Sequence, residues 1–215
     1  MVHDIVIIGA GGLGKEVAWL IQNINNQTPS WNILGFIEDK ISSDLLGTEV
    51  YGYKVLGDET WLSKYGKEIY VVCAIGRGSI RKSVYEKVSK YPNVILATLI
   101  DPTVKVDRSV NIGVGTIICR NCIVTIDINI GKGVLINTGA SIGHDSNVDN
   151  YCTFLTNSIA AGHTTFGECC DIGSGSFILQ GKNIAANTVL APLSSVLKDI
   201  TEPGIYAGNP ARRMV

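Results

Sequence analysis

From Val106 to Val196 an apolar residue falls at every sixth position, sixteen times without a break in phase. The series includes Ile118, Ile136, Ile142, Phe154, Phe166 and Ile178. Four places after most of these stands a small residue, such as Thr116, Cys122, Ala140, Ser146, Cys152 or Ser158. A glycine directly follows at Gly113, Gly131, Gly143, Gly167 and Gly173. A period of six matches neither a helix, which repeats near 3.6, nor an ordinary strand, which repeats at 2. It matches a parallel β-helix in which each side of a triangular coil takes six residues. The apolar residue then fills the axis of the prism, and the small residue turns into the crowded space near a corner. The glycine is expected to ease the turn. Three sides make a coil of 18 residues, so residues 100–200 hold about five coils.

The first hundred residues carry another pattern. The run DIVIIGA leads into Gly9, Gly11, Gly12, Leu13 and Gly14. This is a GxGxxG spacing, set after a predicted strand and before a predicted helix from about Gly14 to Asn25. Further strands are predicted in NILGFIED, ending at Glu38-Asp39, in EIYVVCAIG, ending at Gly76 beside Arg77, and in NVILATLI. Between the last two, SIRKSVYEKVSKY shows helical spacing of Ile80, Val84 and Val88. Strands alternating with helices imply a small parallel sheet that binds ligands at the carboxyl ends of its strands. The glycine loop, Glu38-Asp39 and Gly76-Arg77 are expected to converge there. Loop N–H groups suit phosphate oxygens, and an acidic residue suits a ribose hydroxyl or a base N–H. About 95 residues make only half of a dinucleotide fold, which favours a mononucleotide over NAD. A tight turn with no ligand is the plain alternative.

Charge changes the picture little. The formal net charge is −1 and the basic residues are scattered, so nucleic acid is not an expected partner. No apolar run reaches the roughly 18 residues of a membrane span, and no leader pattern opens the chain. No membrane association and a cytoplasmic setting are therefore expected. Six cysteines are too sparse for a disulfide scaffold. Cys119 and Cys122 form a CxxC with no second pair at zinc spacing, and the repeat turns Cys122, Cys152 and Cys170 into core fillers. No metal is expected.

Two of the three histidines lie inside the repeat. His144 stands two places after inward-facing Ile142, near a coil corner, with Asp145 beside it. A carboxylate-tuned imidazole takes protons near neutral pH. By itself the pair also fits a surface histidine with a hydrogen-bonded neighbour. The 18-residue coil puts Gly162 one layer above His144, at about the 4.8 Å spacing of stacked strands, and His163 above Asp145. A glycine there leaves room for a bound group and exposes a backbone N–H.

Five motifs occur in order: GAGGLGKE (9–16), AIGRGSIRK (74–82), INTGASIGHD (136–145), AAGHTTFG (160–167) and GIYAGNPARRM (204–214). Over essentially the whole chain they resemble the sialic acid O-acetyltransferases and nucleotide-aminosugar N-acetyltransferases. These are hexapeptide-repeat acyltransferases with an N-terminal nucleotide-sugar-binding domain. The resemblance implies a Rossmann-like α/β half-domain over 1–98, a left-handed β-helix acetyltransferase domain over 99–200, and a closing segment, 201–215, near coenzyme A. It implies acetyl-CoA as co-substrate, a UDP-, GDP- or dTDP-linked 4-amino sugar as acceptor, a role in surface glycan biosynthesis, and a homotrimer with pockets between subunits.

It also implies roles for residues. His144 would be the general base and Asp145 its acid partner. The Gly162 N–H would meet the acetyl carbonyl, like an oxyanion donor. His163 would lie by acetyl-CoA, or steady Asp145, and Arg212 and Arg213 would lie near coenzyme A phosphates. Asn137 would sit beside the reacting group of the acceptor. Aminosugar members often carry His where this chain has Leu13, so acceptor contacts at that loop are expected to differ. O-Acetylation of sialic acid is the alternative reaction, and a non-catalytic sugar-nucleotide-binding scaffold is the alternative class. The intact Gly143-His144-Asp145, with Gly162 one coil on, argues against a scaffold.

Overall fold

The computed structural model describes residues 2–38 and 45–214, so Asp39 lies outside the described residues. The first apolar run forms β1 (His3–Ile8), buried from Ile5 to Ile8 because helices cover both faces of the sheet. After it come α1 (Gly12–Gln27), β2 (Trp31–Ile37), β3 (Glu49–Val50), β4 (Tyr53–Gly57), α2 (Thr60–Tyr65), β5 (Ile69–Cys73), α3 (Gly78–Val88) and β6 (Val94–Leu96). The sheet order is β3-β4-β2-β1-β5-β6, parallel except for the β3–β4 pair. β3, β4 and α2 are too short to show a period and have no counterpart in the sequence pattern. The face of α3 is corrected by one residue. Ile80 is 47% exposed, and the buried positions are Gly78, Arg81, Val84, Tyr85 and Val88.

The predicted strand NVILATLI divides. β6 closes the sheet, and β7 (Leu99–Ile100) is already the first strand of the prism. From there Leu99 pairs with Ile117, Ile117 with Leu135, Leu135 with Thr153, Thr153 with Asp171, and Asp171 with Val189. Each step is 18 residues, and all are parallel. The expected α/β half-domain followed by a β-helix is the architecture found. Ile118, Ile136, Phe154 and Phe166 are fully buried along the axis. Val106 is not; at 37% exposed it precedes the first complete coil.

The small-residue row has a polar reason as well as a steric one. Thr116 Oγ1 donates to the Gly131 carbonyl, Cys152 Sγ to Gly167, Cys170 Sγ to Ala185, and Ser176 Oγ to Ala191. Each hydroxyl or thiol donates to a part-buried carbonyl 15 residues on, and Ala185 O also accepts the Thr188 hydroxyl at 2.6 Å.

The repeat glycines need correction. The left-handed turn residue falls three places after the inward residue, at Asn121, Asp127, Asp145, Asn157 and His163 among others. Gly113, Gly131, Gly143, Gly167 and Gly173 are absent from that set, and close approach is what requires them. A Cβ on Gly113 would lie 2.5 Å from the backbone of Gly131, and one on Gly143 2.5 Å from Gly162 N.

The sheet domain docks on one face of the prism, where Leu99, Ile117 and Leu135 are buried. α1 flanks one corner of that face, with the Arg120 guanidinium 5.0 Å over the Trp19 ring. α3 flanks the other, at Gly133 and Tyr151–Thr153. The third corner, which carries residues 143–146 and 161–164, lies on the opposite side of the prism, away from the docked face.

Candidate active site

His144 sits on that third corner, between the strands Ser141–Ile142 and Asn147–Val148. Its Nδ1 lies 2.7 Å from Asp145 Oδ2. The hydrogen bond from His144 holds the Asp145 carboxyl below its ordinary range, so the carboxylate is ionised at neutral pH. An ionised carboxylate only accepts, so in neutral His144 the proton is on Nδ1 and the lone pair on Nε2. Asp145 stands at φ 57° and His163 at φ 55°, turn positions that Asn, Asp and His tolerate better than most residues. The corner thus aims both side chains outward.

Gly162 stacks on His144 as the coil length predicts. A Cβ there would lie 2.6 Å from His144 Nε2, so the glycine makes room for the imidazole itself. Within the described chain no acceptor takes the Gly162 N–H. His163 Nε2 lies 3.5 Å from Asp145 Oδ2, and its ring stands edge-on to His144 with centroids 5.1 Å apart. Among the described residues, His144, Asp145 and His163 are one group able to offer three metal ligands, with ligand atoms within 4.8 Å of one another. Asp145 Oδ2 is already engaged by His144.

A second cluster forms at the carboxyl ends of β1, β2 and β5. A Cβ on Gly9 would lie 2.9 Å from the Ala74 carbonyl, and one on Gly14 2.0 Å from the Gly9 carbonyl, so these two glycines serve packing. Gly11 and Gly12 face open space. Leu13 packs against the core. Glu38 accepts the N–H of Ala10 and thereby braces the glycine loop. Gly76 and Arg77 lead into α3 on the neighbouring strand end.

Asn137 is not brought to His144 within the chain. It stands at the preceding corner, where its Oδ1 accepts the Thr138 N–H. At the end of the prism a cavity of about 350 Å³ is lined by Leu197, Lys198, Tyr206, Arg212 and Arg213. Arg213 is engaged by Glu202 at 2.9 Å, whereas among the described residues Arg212 bonds only to the adjoining Ala211 carbonyl. Arg81, buried beneath the second cluster, had one signal in the sequence: it shares a helical face with Val84, Tyr85 and Val88.

Residues 4–88 match the PglD N-terminal domain family. Over 97% of this chain and 95% of the relative, the sequence is 28% identical to a GDP-perosamine N-acetyltransferase of Escherichia coli O157:H7. The acetyltransferase domain of PglB from Neisseria gonorrhoeae, solved with acetyl coenzyme A, superposes with a TM-score of 0.90 at 27% identity, covering 100% of both chains. PerB from Caulobacter crescentus, solved with CoA and GDP-perosamine, gives 0.89 at 25% identity, covering 100% of this chain and 99% of that one. Over its whole length the chain is similar to N-acetyltransferases of nucleotide-linked amino sugars. Like these similar proteins, it is an acetyltransferase. Among the described residues, no helix of this acetyltransferase is long and apolar enough to cross a membrane.

Proposed function

We propose that the protein transfers the acetyl group of acetyl-CoA to the amine of a nucleotide-linked amino sugar, with His144 as general base. The amine nitrogen attacks the thioester carbonyl, and its proton passes to His144 Nε2. Asp145 holds the imidazole in the accepting tautomer and stabilises the imidazolium. The oxyanion accepts a hydrogen bond from the Gly162 N–H. Collapse expels the coenzyme A thiolate, which takes the proton back from His144. No acyl-enzyme forms. The observation that carries this reading is the 2.7 Å His144–Asp145 bond with the Nε2 edge of the ring beside Gly162.

The acceptor's nucleotide would lie on the second cluster, with phosphates against the open side of Gly11 and Gly12 and the base or ribose toward Glu38. That cluster and His144 stand on opposite sides of the same prism. A bound acceptor therefore reaches the base of another subunit, which supports a homotrimer with its site between prisms. An exposed apolar prism face beside His144, carrying Ile123, Ile159 and Leu197, supports the same assembly. Asn137, on a corner away from its own His144, would approach the acceptor from an adjacent prism. Arg212, Arg213 and Lys198 would meet coenzyme A phosphates. The acetylated nucleotide sugar would then supply a glycosyltransferase in surface glycan assembly.

An acetyl-transfer screen tests this reading. Purified protein and acetyl-CoA are offered UDP-, GDP- and dTDP-linked 4-amino sugars and free sialic acid. Amide formation on one nucleotide sugar is expected. Ester formation on sialic acid with no amide product selects O-acetylation instead, and no transfer to any acceptor favours a binding scaffold.

A further inference from the structure

Arg81 is fully buried, yet no carboxylate bonds to it among the described residues. Its guanidinium binds neutral oxygens throughout. Nη1 donates to the carbonyls of Ile75 at 2.7 Å and Gly76 at 2.9 Å. Nε donates to Gly133 O at 2.6 Å, and Nη2 to Tyr151 O, Cys152 O and Thr153 Oγ1, each at 3.0 Å. One end of the fork thus holds the loop after β5, and the other holds the prism. Around it, Thr153 Oγ1 donates to Gly76 O at 2.7 Å, and Asp171 Oδ1 accepts the Gly78 N–H at 3.0 Å.

A buried cation with no carboxylate bonded to it is costly, even with Asp171 near enough to act on it, and apolar side chains would dock two domains at lower cost. What a guanidinium adds is direction. Its planar fork satisfies several acceptors only when they stand in one arrangement. We propose that Arg81 is a positioning residue: it fixes the nucleotide-side loop Gly76–Gly78 on the prism and so sets where the bound acceptor's amine meets the partner subunit's His144. This rests on the function proposed above. Because the prisms would build the trimer, any rocking of the sheet domain on its own prism would move the acceptor relative to the base. Beyond the clamp the loop is open, with a cavity of about 350 Å³ between Gly76–Arg77 and Leu155, Asp171 and Val189.

The test uses the full chain with Arg81→Lys and, should that variant fold poorly, Thr153→Val. Kinetics are compared for the nucleotide-linked amino sugar and for the same amino sugar without its nucleotide. For Arg81→Lys the KM of the nucleotide-linked acceptor is expected to rise roughly 10- to 100-fold. The KM of acetyl-CoA and the rate with the free amino sugar should stay within about twofold, because neither depends on the loop. Thr153→Val should show the same split, more weakly. Equal losses on both acceptors, or no loss on either, overturn the proposal. Amide exchange at Gly78 gives a readout without substrate. It should quicken in both variants while the prism-core amides keep their protection, and an unchanged Gly78 rate contradicts the clamp. If the wild-type chain acetylates no nucleotide sugar, the catalytic reading fails by itself, and the exchange result still decides the clamp.

Discussion

Two faces of the prism are built on the same inward rows and differ in what they turn outward. One presents Asn111, Asn129, Asn147, Thr165 and Asn183 at successive coils, with Asn111 Nδ2 donating to Asn129 Oδ1 at 2.9 Å. The other presents Ile123, Ile159 and Phe177, interrupted by Ser141 and Ser195 and flanked by Leu179 and Leu197. Ile123 is 56% exposed and Ile159 45%. The β-helix requires only the inward rows, so the outward rows record what each face meets. Asparagines are at ease in water. A strip of isoleucine and leucine along a rigid flat sheet is suited to another protein surface. His144 stands at the corner between these two faces, where a second prism would wall the site on one side and leave an entrance on the other.

The largest expected effect removes the proposed base at that corner. His144→Ala should lower kcat on the order of 10²- to 10⁴-fold with little change in the binding of either substrate, measured by steady-state kinetics and calorimetry. Near-normal turnover at saturation would move the base elsewhere, with His163 the nearest imidazole. A charge on the apolar face comes next. Ile159→Asp should reduce the mass in light scattering from three chains to one and cost roughly 100-fold in activity, because a buried unpaired carboxylate costs several kcal/mol. Asn129→Asp on the polar face should change neither. Equal effects of the two would erase the contrast between the faces.

A smaller effect follows from the 2.6 Å approach of a Cβ at position 162 to His144. Gly162→Ala should displace the imidazole and lower kcat by roughly 10- to 100-fold while the assembly stays intact. At the bottom of the scale stand the thiols. Burial pushes Cys73 and Cys119 up to about 12 and Cys122 up to about 11. Thiolate is then scarce at pH 8, and the Cys119–Cys122 pair should resist alkylation until denaturant opens the fold.

The prism was legible because its inward rows repeat at fixed spacing, so Ile118, Ile136 and Phe154 announce both the coil and its length. The same spacing stacked Gly162 on His144 and His163 on Asp145. Period alone could not say why a glycine recurs. Turning and close approach leave the same mark in a sequence, and only the contact of Gly143 with the next coil separates them. Arg81 was easily missed because a charged residue between Ile80 and Val84 reads as the solvent side of a helix, although its spacing to Val84, Tyr85 and Val88 puts it on their face. The prism carbonyls that hold it lie 52 to 71 residues away. Glu38 likewise reads as wholly free for a ribose hydroxyl until its Oε1 is seen to accept the Ala10 N–H, which leaves the other carboxylate oxygen for a ligand.

The central claim is that one site takes its nucleotide domain and its base from different chains. Gly11→Val tests the first half, since the side chain enters open space at φ −77° and should raise only the acceptor KM. Co-expression of Gly11→Val chains with His144→Ala chains tests the whole. Each variant alone should be nearly inactive at low acceptor concentration. Random 1:1 mixing should recover about a quarter of wild-type activity, because about three trimers in four are mixed and one site in three of each pairs an intact nucleotide domain with an intact neighbouring base. Activity no higher than that of the parent variants, in trimers shown to be mixed, would mean that each chain serves its own site and would contradict the account.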